Sequence, residues 1–130
     1  ADKTPRGLAR LADTPGIQAG VAKGEATLAS ARAYLMEALA DIYSRAGETE
    51  PIDVPDRARV RLASTHAIFG AAEVTDWVYK AAGVSAIFPG TPFERRFRDM
   101  HTLTQQIQAR ETHFESAGKV LLGRPPEIYY

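Results

Sequence analysis

The chain contains no cysteine, and that one absence removes disulfide staples, thiolate metal centres and a cysteine nucleophile together. Neither charge is in surplus: 16 Lys and Arg balance 16 Asp and Glu, so no long-range field draws the chain to nucleic acid or to an acidic membrane surface. No apolar run approaches the ~20 residues that span a bilayer, and the polar, alanine-rich N-terminus lacks the layout of a secretory signal. The expectation is a soluble cytoplasmic protein with no nucleic-acid or membrane partner. Phosphate-cradling glycine loops, GxSxG and HExxH are missing too. The three histidines, His66, His101 and His113, lie far apart without paired Glu-x-x-His motifs, so no metal site is expected. A lone Trp77, followed by Val78 and Tyr79, reads as packing or interface rather than as a binding box.

What is present is helical periodicity. The 130 residues suit one domain, 1–130, with length enough to bury a core. From Ile17 the apolar or small positions run Val21, Gly24, Leu28, Ala31, Leu35, Leu39, Ile42 and Ala46, in steps of three and four. Thr14 before Pro15 supplies a hydroxyl cap and a proline at the first helical position, and Gly47 supplies a stop. Such a helix is about 48 Å long and needs a partner of similar length. After the link GETEPIDVP that partner follows: Val60, Ala63, Ala67, Ala71, Val74, Val78 and Ala81 repeat the spacing up to Gly83. Its seam is rich in alanine and has Gly70 beside it, which permits two axes to approach closely.

Thr91, Pro92 and Glu94 spell a capping box, so a third helix starts at Pro92 and carries Phe97, Met100, Leu103 or Thr104, and Ile107. A fourth, shorter helix carries Phe114, Ala117, Val120 and Leu121 and closes at Gly123; the tail RPPEIYY suggests docking on another surface. The expected fold is all-α, a four-helix up-down bundle with two long N-terminal helices and two shorter C-terminal ones.

The third helix raises the functional question. TPFERRFRDMHTLTQQIQARETHF, residues 91–114, holds far more hydrogen-bonding capacity than a core-facing helix needs. Two readings stay open for Arg95, Arg96 and Arg98. Glu94 and Asp99 can neutralise them in surface ion pairs. Alternatively Arg98, His101 and Gln105, which share a helix face at i, i+3 and i+7, present donors to a phosphate or to the edge of a heteroaromatic ring.

The segment PFERRFRDMHTLTQQIQ, with a later helix ending KVLLG, resembles the C-terminal domain of the acyl-CoA dehydrogenase superfamily. Within it, the flavin-dependent monooxygenase (hydroxylase) branch is the more similar. The residues that carry the likeness are Pro92, Arg95-Arg96, Phe97, Arg98-Asp99, His101 and Thr104-Gln105. The small-residue-rich helix from Pro15 and the stretch GVSAIFPG extend it over nearly the whole chain, though only the final third is specific.

The resemblance implies a flavin, FAD or FMN, as cofactor. It also implies N-terminal domains of the same chain as partners, a homotetramer built on this bundle, and a flavin reductase as a further candidate partner. The chain starts Ala-Asp-Lys rather than with Met, in keeping with a piece of a longer flavoprotein that is inactive alone. By the same resemblance Arg98 contacts phosphate or holds structure, and Thr104 and Gln105 hydrogen-bond the flavin or its phosphates. His101 and Gln106 are the catalytic candidates, His101 with a subunit interface as its other possible place.

One departure stands out. Gln106 occupies the position where the monooxygenase branch often has a histidine near the reactive flavin carbon, and Gln108 is the nearest counterpart of the dehydrogenases' glutamate base. An amide neither abstracts a proton nor titrates near neutrality, although it can orient a substrate. Glu111 is the nearest carboxylate. An acyl-CoA dehydrogenase is therefore the weaker enzymatic reading, and a helical oligomerisation module without cofactor is the non-enzymatic one.

Overall fold

Proline and glycine punctuate the chain much as the sequence suggests. A computed structural model, which describes residues 10–47 and 51–126, contains four α-helices, and among the described residues there is no strand. They are α1 (Pro15–Arg45), α2 (Val54–Ala82), α3 (Pro92–Leu103) and α4 (Thr112–Leu121). Short 3-10 turns at Leu11–Asp13, Gly83–Ile87 and Ile107–Ala109 lead into or join them. The fold is the expected all-α bundle. Residues 127–130 of the tail, with its two tyrosines, lie outside the described residues.

The stops form as expected. Gly83 ends α2 at φ +58°, a backbone shape that side chains rarely adopt. After α4 the Arg124 amide bonds the Lys119 carbonyl (2.8 Å) and the Gly123 amide bonds that of Val120 (3.0 Å), a Schellman closure of the last turn. The starts differ in detail. Asp53, not singled out by the sequence reading, caps α2: its Oδ1 accepts from the Asp56 amide at 2.9 Å. Thr91 does not close a capping box, because its hydroxyl faces backward, 3.1 Å from the Ser85 carbonyl and 3.0 Å from that of Phe88. It ties GVSAIFPG to the start of α3 instead.

Packing is organised around α2. α1 lies along one side of it, while α3 and α4 each dock on it elsewhere. The buried positions are nearly all small: Ala31 and Ala38 on α1, Ala58, Ala63 and Gly70 on α2, Ala117 on α4. Small residues let the axes come close, so dispersion contacts run backbone to side chain rather than between large interlocked groups.

The seam on α1 keeps Ile17, Gly24, Ala31, Leu35 and Ile42 of the expected positions, buried or half-buried, with a slight rotation from the expected line. Gly20, Gly24, Thr27, Ala31 and Ala38 face α2, whereas Val21, Leu28 and Leu39, three of the expected apolar positions, stay exposed with Met36 and Tyr43. Steric fit explains the rotation. The Trp77 indole lies over Gly20, leaving no room for a β-carbon, and Gly70 sits against Thr27. Trp77 is a packing residue, as its context suggested. Phe69 and Phe114 join α2 to α4 at a ring-centroid distance of 5.6 Å.

An ion-pair network locks the far end of the α1–α2 pair. Arg45 forks onto Asp56 at 2.7 and 2.8 Å and reaches Asp41 at 3.3 Å, and Arg59 bridges Asp41 (2.9 Å) and Glu37 (3.2 Å). The hydrogen bonds from Arg45 hold the Asp56 carboxyl below the usual carboxylate range. No helix among the described residues is long and apolar enough to cross a membrane.

Candidate functional site

The polar segment does not continue as one helix. α3 ends at Leu103, where the Thr104 hydroxyl turns back to donate to the His101 carbonyl at 2.7 Å. The Gln105 backbone N–H donates to the Thr102 carbonyl and that of Gln106 to the Leu103 carbonyl, forming a tight turn. Gln105 therefore reaches the Arg98–His101 side through this turn rather than by helical spacing. Ile107, expected on the α3 stripe, belongs instead to the 3-10 turn that follows.

Between α2 and α3 lies an open groove of about 570 Å³, with Tyr79 on its α2 wall and Phe97, Arg98, His101 and Thr102 on its α3 wall. Gln105 and Glu94 also line the space. Three rings stand in a row: Tyr79 stacks on Phe97 (4.2 Å between centroids, 29° between planes), and Phe97 packs on the His101 imidazole (4.3 Å, 48°). At the end of the row His101 Nε2 meets Asp76 Oδ1 of α2 at 2.7 Å. Asp76 is the member of the site that sequence reading missed. It lies 25 residues upstream, and only the docking of α3 on α2 brings the pair together.

Both open readings of the arginines have a structural counterpart. Arg95 pairs with Asp99 at 3.5 Å and Arg98 with Glu94 at 3.7 Å, each one helical turn apart. These are exposed pairs, worth at most ~1 kcal/mol. The Arg98 contact is long even at its closest approach, through Nε, so the guanidinium keeps donors for an anion placed in the groove.

The expected site residues thus divide. Arg98, His101 and Gln105 share the groove. Thr104 spends its hydroxyl on the backbone and takes a long contact, 3.4 Å, from Gln105 Nε2. Gln106 is exposed, and its backbone caps the Ile107–Ala109 turn. Gln108 lines a separate cavity of about 450 Å³ beside Leu39, Ile42, Val60, Thr65 and His113. There His113 donates from Nε2 to the Ile107 carbonyl (2.7 Å) and so presents Nδ1 to Arg61 Nη1 at 3.1 Å, the arrangement of a neutral ring. Glu111 immediately precedes α4 and is exposed. His66 is exposed, and no cluster of metal-ligating side chains occurs among the described residues.

As a donor set the groove suits a flavin better than a metal or a thioester base. It offers one guanidinium, amide and hydroxyl groups that donate or accept, and an aromatic wall; its lining carboxylate, Glu94, faces Arg98, and Asp76 is engaged by the imidazole.

Residues 3–111 match the sequence profile described as acyl-CoA dehydrogenase, C-terminal domain. The chain belongs to that family. Among curated relatives, an indole-3-acetate monooxygenase of Pseudomonas putida is 35% identical over 122 residues, covering 92% of this chain and 31% of the relative. An indole-3-acetate monooxygenase of Acinetobacter baumannii is 26% identical over 124 residues, covering 95% of this chain and 32% of the relative. The chain therefore spans about a third of the length of the relatives it matches. Both bear monooxygenase names, in line with the branch that the α3 motif resembles.

Proposed function

We propose that this domain is the C-terminal helical part of a reduced-flavin-dependent monooxygenase and that the α2/α3 groove forms one wall of its flavin pocket. The observation that carries the reading is the groove's make-up, Arg98, His101 and Gln105 beside an aromatic row, in a chain 35% identical over nearly its whole length to a named monooxygenase. Arg98 binds a flavin phosphate or holds the pocket edge, and Gln105 hydrogen-bonds the flavin, with the Thr104 hydroxyl setting the turn that carries it. A bound flavin, FAD or FMN, supplies the redox chemistry with oxygen. His101 holds or moves a proton at the groove, and Gln106 orients substrate without titrating.

The remaining domains of a longer chain complete the pocket, and a flavin reductase delivers reduced flavin. Val21, Leu28, Met36, Leu39 and Tyr43, exposed along α1, support a homotetramer in which further apolar faces are covered. A cytoplasmic setting belongs to the same proposal. The substrate class suggested by the relatives is a small aromatic acid such as indole-3-acetate.

The test uses the protein expressed from its whole reading frame. Reduced FMN or FAD, oxygen and indole-3-acetate are supplied together, and oxygen uptake and hydroxylated product are followed. Product formation that depends on flavin is the expected result. A full-length protein that binds neither flavin, or that oxidises acyl-CoA thioesters instead, overturns the proposal.

A further inference from the structure

The Asp76–His101 pair constrains the imidazole in a way that the functional reading above does not require. An ionised carboxylate only accepts hydrogen bonds, so the 2.7 Å contact from Nε2 to Asp76 Oδ1 places a proton on Nε2 whether the ring is neutral or cationic. In the neutral ring the lone pair is then on Nδ1. That nitrogen has no hydrogen-bond partner among the described residues, and the side chain is 47% exposed where it lines the groove. Phe97 packs against the ring, tilted at 48° with 4.3 Å between centroids, and leaves Nδ1 without a hydrogen bond. Asp76 is itself anchored on α2 one helical turn before Tyr79's neighbour Lys80, while Tyr79 stacks on the Phe97 ring that packs His101.

We propose that Asp76 is a positioning residue that locks His101 in its Nε2–H form, so that Nδ1 is the atom that takes up or returns a proton at the α2/α3 groove. Two elements share the job. α3 carries the proton-handling ring, and α2 carries both the carboxylate that fixes its tautomer and, through Tyr79 and Phe97, the stack that fixes its plane. A carboxylate in this position also stabilises the imidazolium formed when Nδ1 gains a proton, without being protonated itself. The assignment of Asp76 rests on local geometry. Its catalytic use rests on the flavin monooxygenase reading.

Two measurements separate these layers. In the first, long-range nitrogen–proton NMR on the labelled chain reads the His101 tautomer above the histidine titration range, with far-UV circular dichroism to confirm retained helix. Wild type is expected to show the Nε2–H form alone, and Asp76→Ala a mixture of both forms. A wild-type mixture indistinguishable from that of Asp76→Ala overturns the assignment.

In the second, full-length protein with reduced FMN or FAD and indole-3-acetate is assayed as wild type, Asp76→Ala, His101→Gln and the double variant. Asp76→Ala should lower kcat by roughly tenfold or more, part of the ~10²–10⁴ that a whole acid–base group contributes, with KM little changed. In the double variant the loss should equal that of His101→Gln alone, because Asp76 acts only through the ring. Independent, additive losses would mean that Asp76 serves structure only and would overturn the positioning role. A locked tautomer in a protein that shows no flavin-dependent turnover would leave Asp76's assignment standing and remove the monooxygenase reading.

Discussion

Gly20 offers the sharpest test of how α1 and α2 are held. A β-carbon built there overlaps the Trp77 indole; even the third-nearest atom, Cη2, lies at 2.7 Å, against 3.4 Å for ordinary contact. The indole is rigid, so relief requires a change of rotamer or a separation of the helices. Such overpacking costs typically ~1–3 kcal/mol. Replacing glycine by alanine within a helix returns ~1 kcal/mol of propensity.

Gly24, one turn further along the same helix, isolates the clash. An added β-carbon there meets Val74 at 3.4 Å, an ordinary contact, so Gly24→Ala keeps the propensity gain without the overlap. Gly24→Ala should therefore be stabilised by ~0.5–1 kcal/mol, and Gly20→Ala should fall ~1–3 kcal/mol below it. With a urea slope of ~1–3 kcal/mol per M, the two midpoints differ on the order of 1 M. Trp77 is the chain's single tryptophan, so its fluorescence follows unfolding and also reports any native-state displacement of the indole. Coincident midpoints with an unshifted emission maximum for Gly20→Ala would refute the close-packing argument.

Arg98→Ala in the full-length protein should raise the dissociation constant for FMN or FAD about tenfold, the size of one charge-assisted hydrogen bond, with the helical signal intact; unchanged flavin titrations remove Arg98 from the pocket. Gln106→His should fold normally, because Gln106 contributes only backbone bonds, and should alter the ratio of product formed to oxygen consumed. An unchanged ratio means that position 106 does not face the reaction. The Asp56 carboxyl is held below its unfolded value by Arg45, so its stabilisation is full above the ordinary carboxylate range, near ~4, and is lost as pH falls through the lower folded value. Asp56→Asn should thus lower the melting temperature near neutrality and flatten its fall in acid; an acid limb as steep as that of wild type contradicts the assignment.

Local signals in the sequence were enough for the elements and for part of the site. Pro15, Pro92, Gly83 and Gly123 act through their own backbone chemistry, and the structure uses them where the sequence suggests. Asp53 was equally local, an aspartate three residues before Asp56, and reading it as a cap would have placed the start of α2. Thr91 had the right spacing for a cap, but its hydroxyl is taken by the Ser85 and Phe88 carbonyls, a competition set by the preceding turn. The α1 seam was misjudged at Val21, Leu28 and Leu39 because apolar periodicity favours large residues, whereas here the size of Trp77 dictates a glycine at position 20. Helical spacing joined Arg98 to His101 correctly and reached Gln105 for the wrong reason, since the helix has ended by then. Asp76 was out of reach, because nothing in α2 alone marks which aspartate will stand opposite α3.

Since α1 packs mainly on α2, hydrogen exchange should divide this protein into two layers. The amides of α1, held by small-residue contacts and by ion pairs at one end, can open together without disturbing α2, α3 or the ring stack. Their protection would then report a partial opening of lower free energy than that of central α2. The helix that sets durability is thereby distinct from the pair that holds the groove. Changes along α1 can retune the lifetime of the native state while the imidazole and its carboxylate keep their geometry.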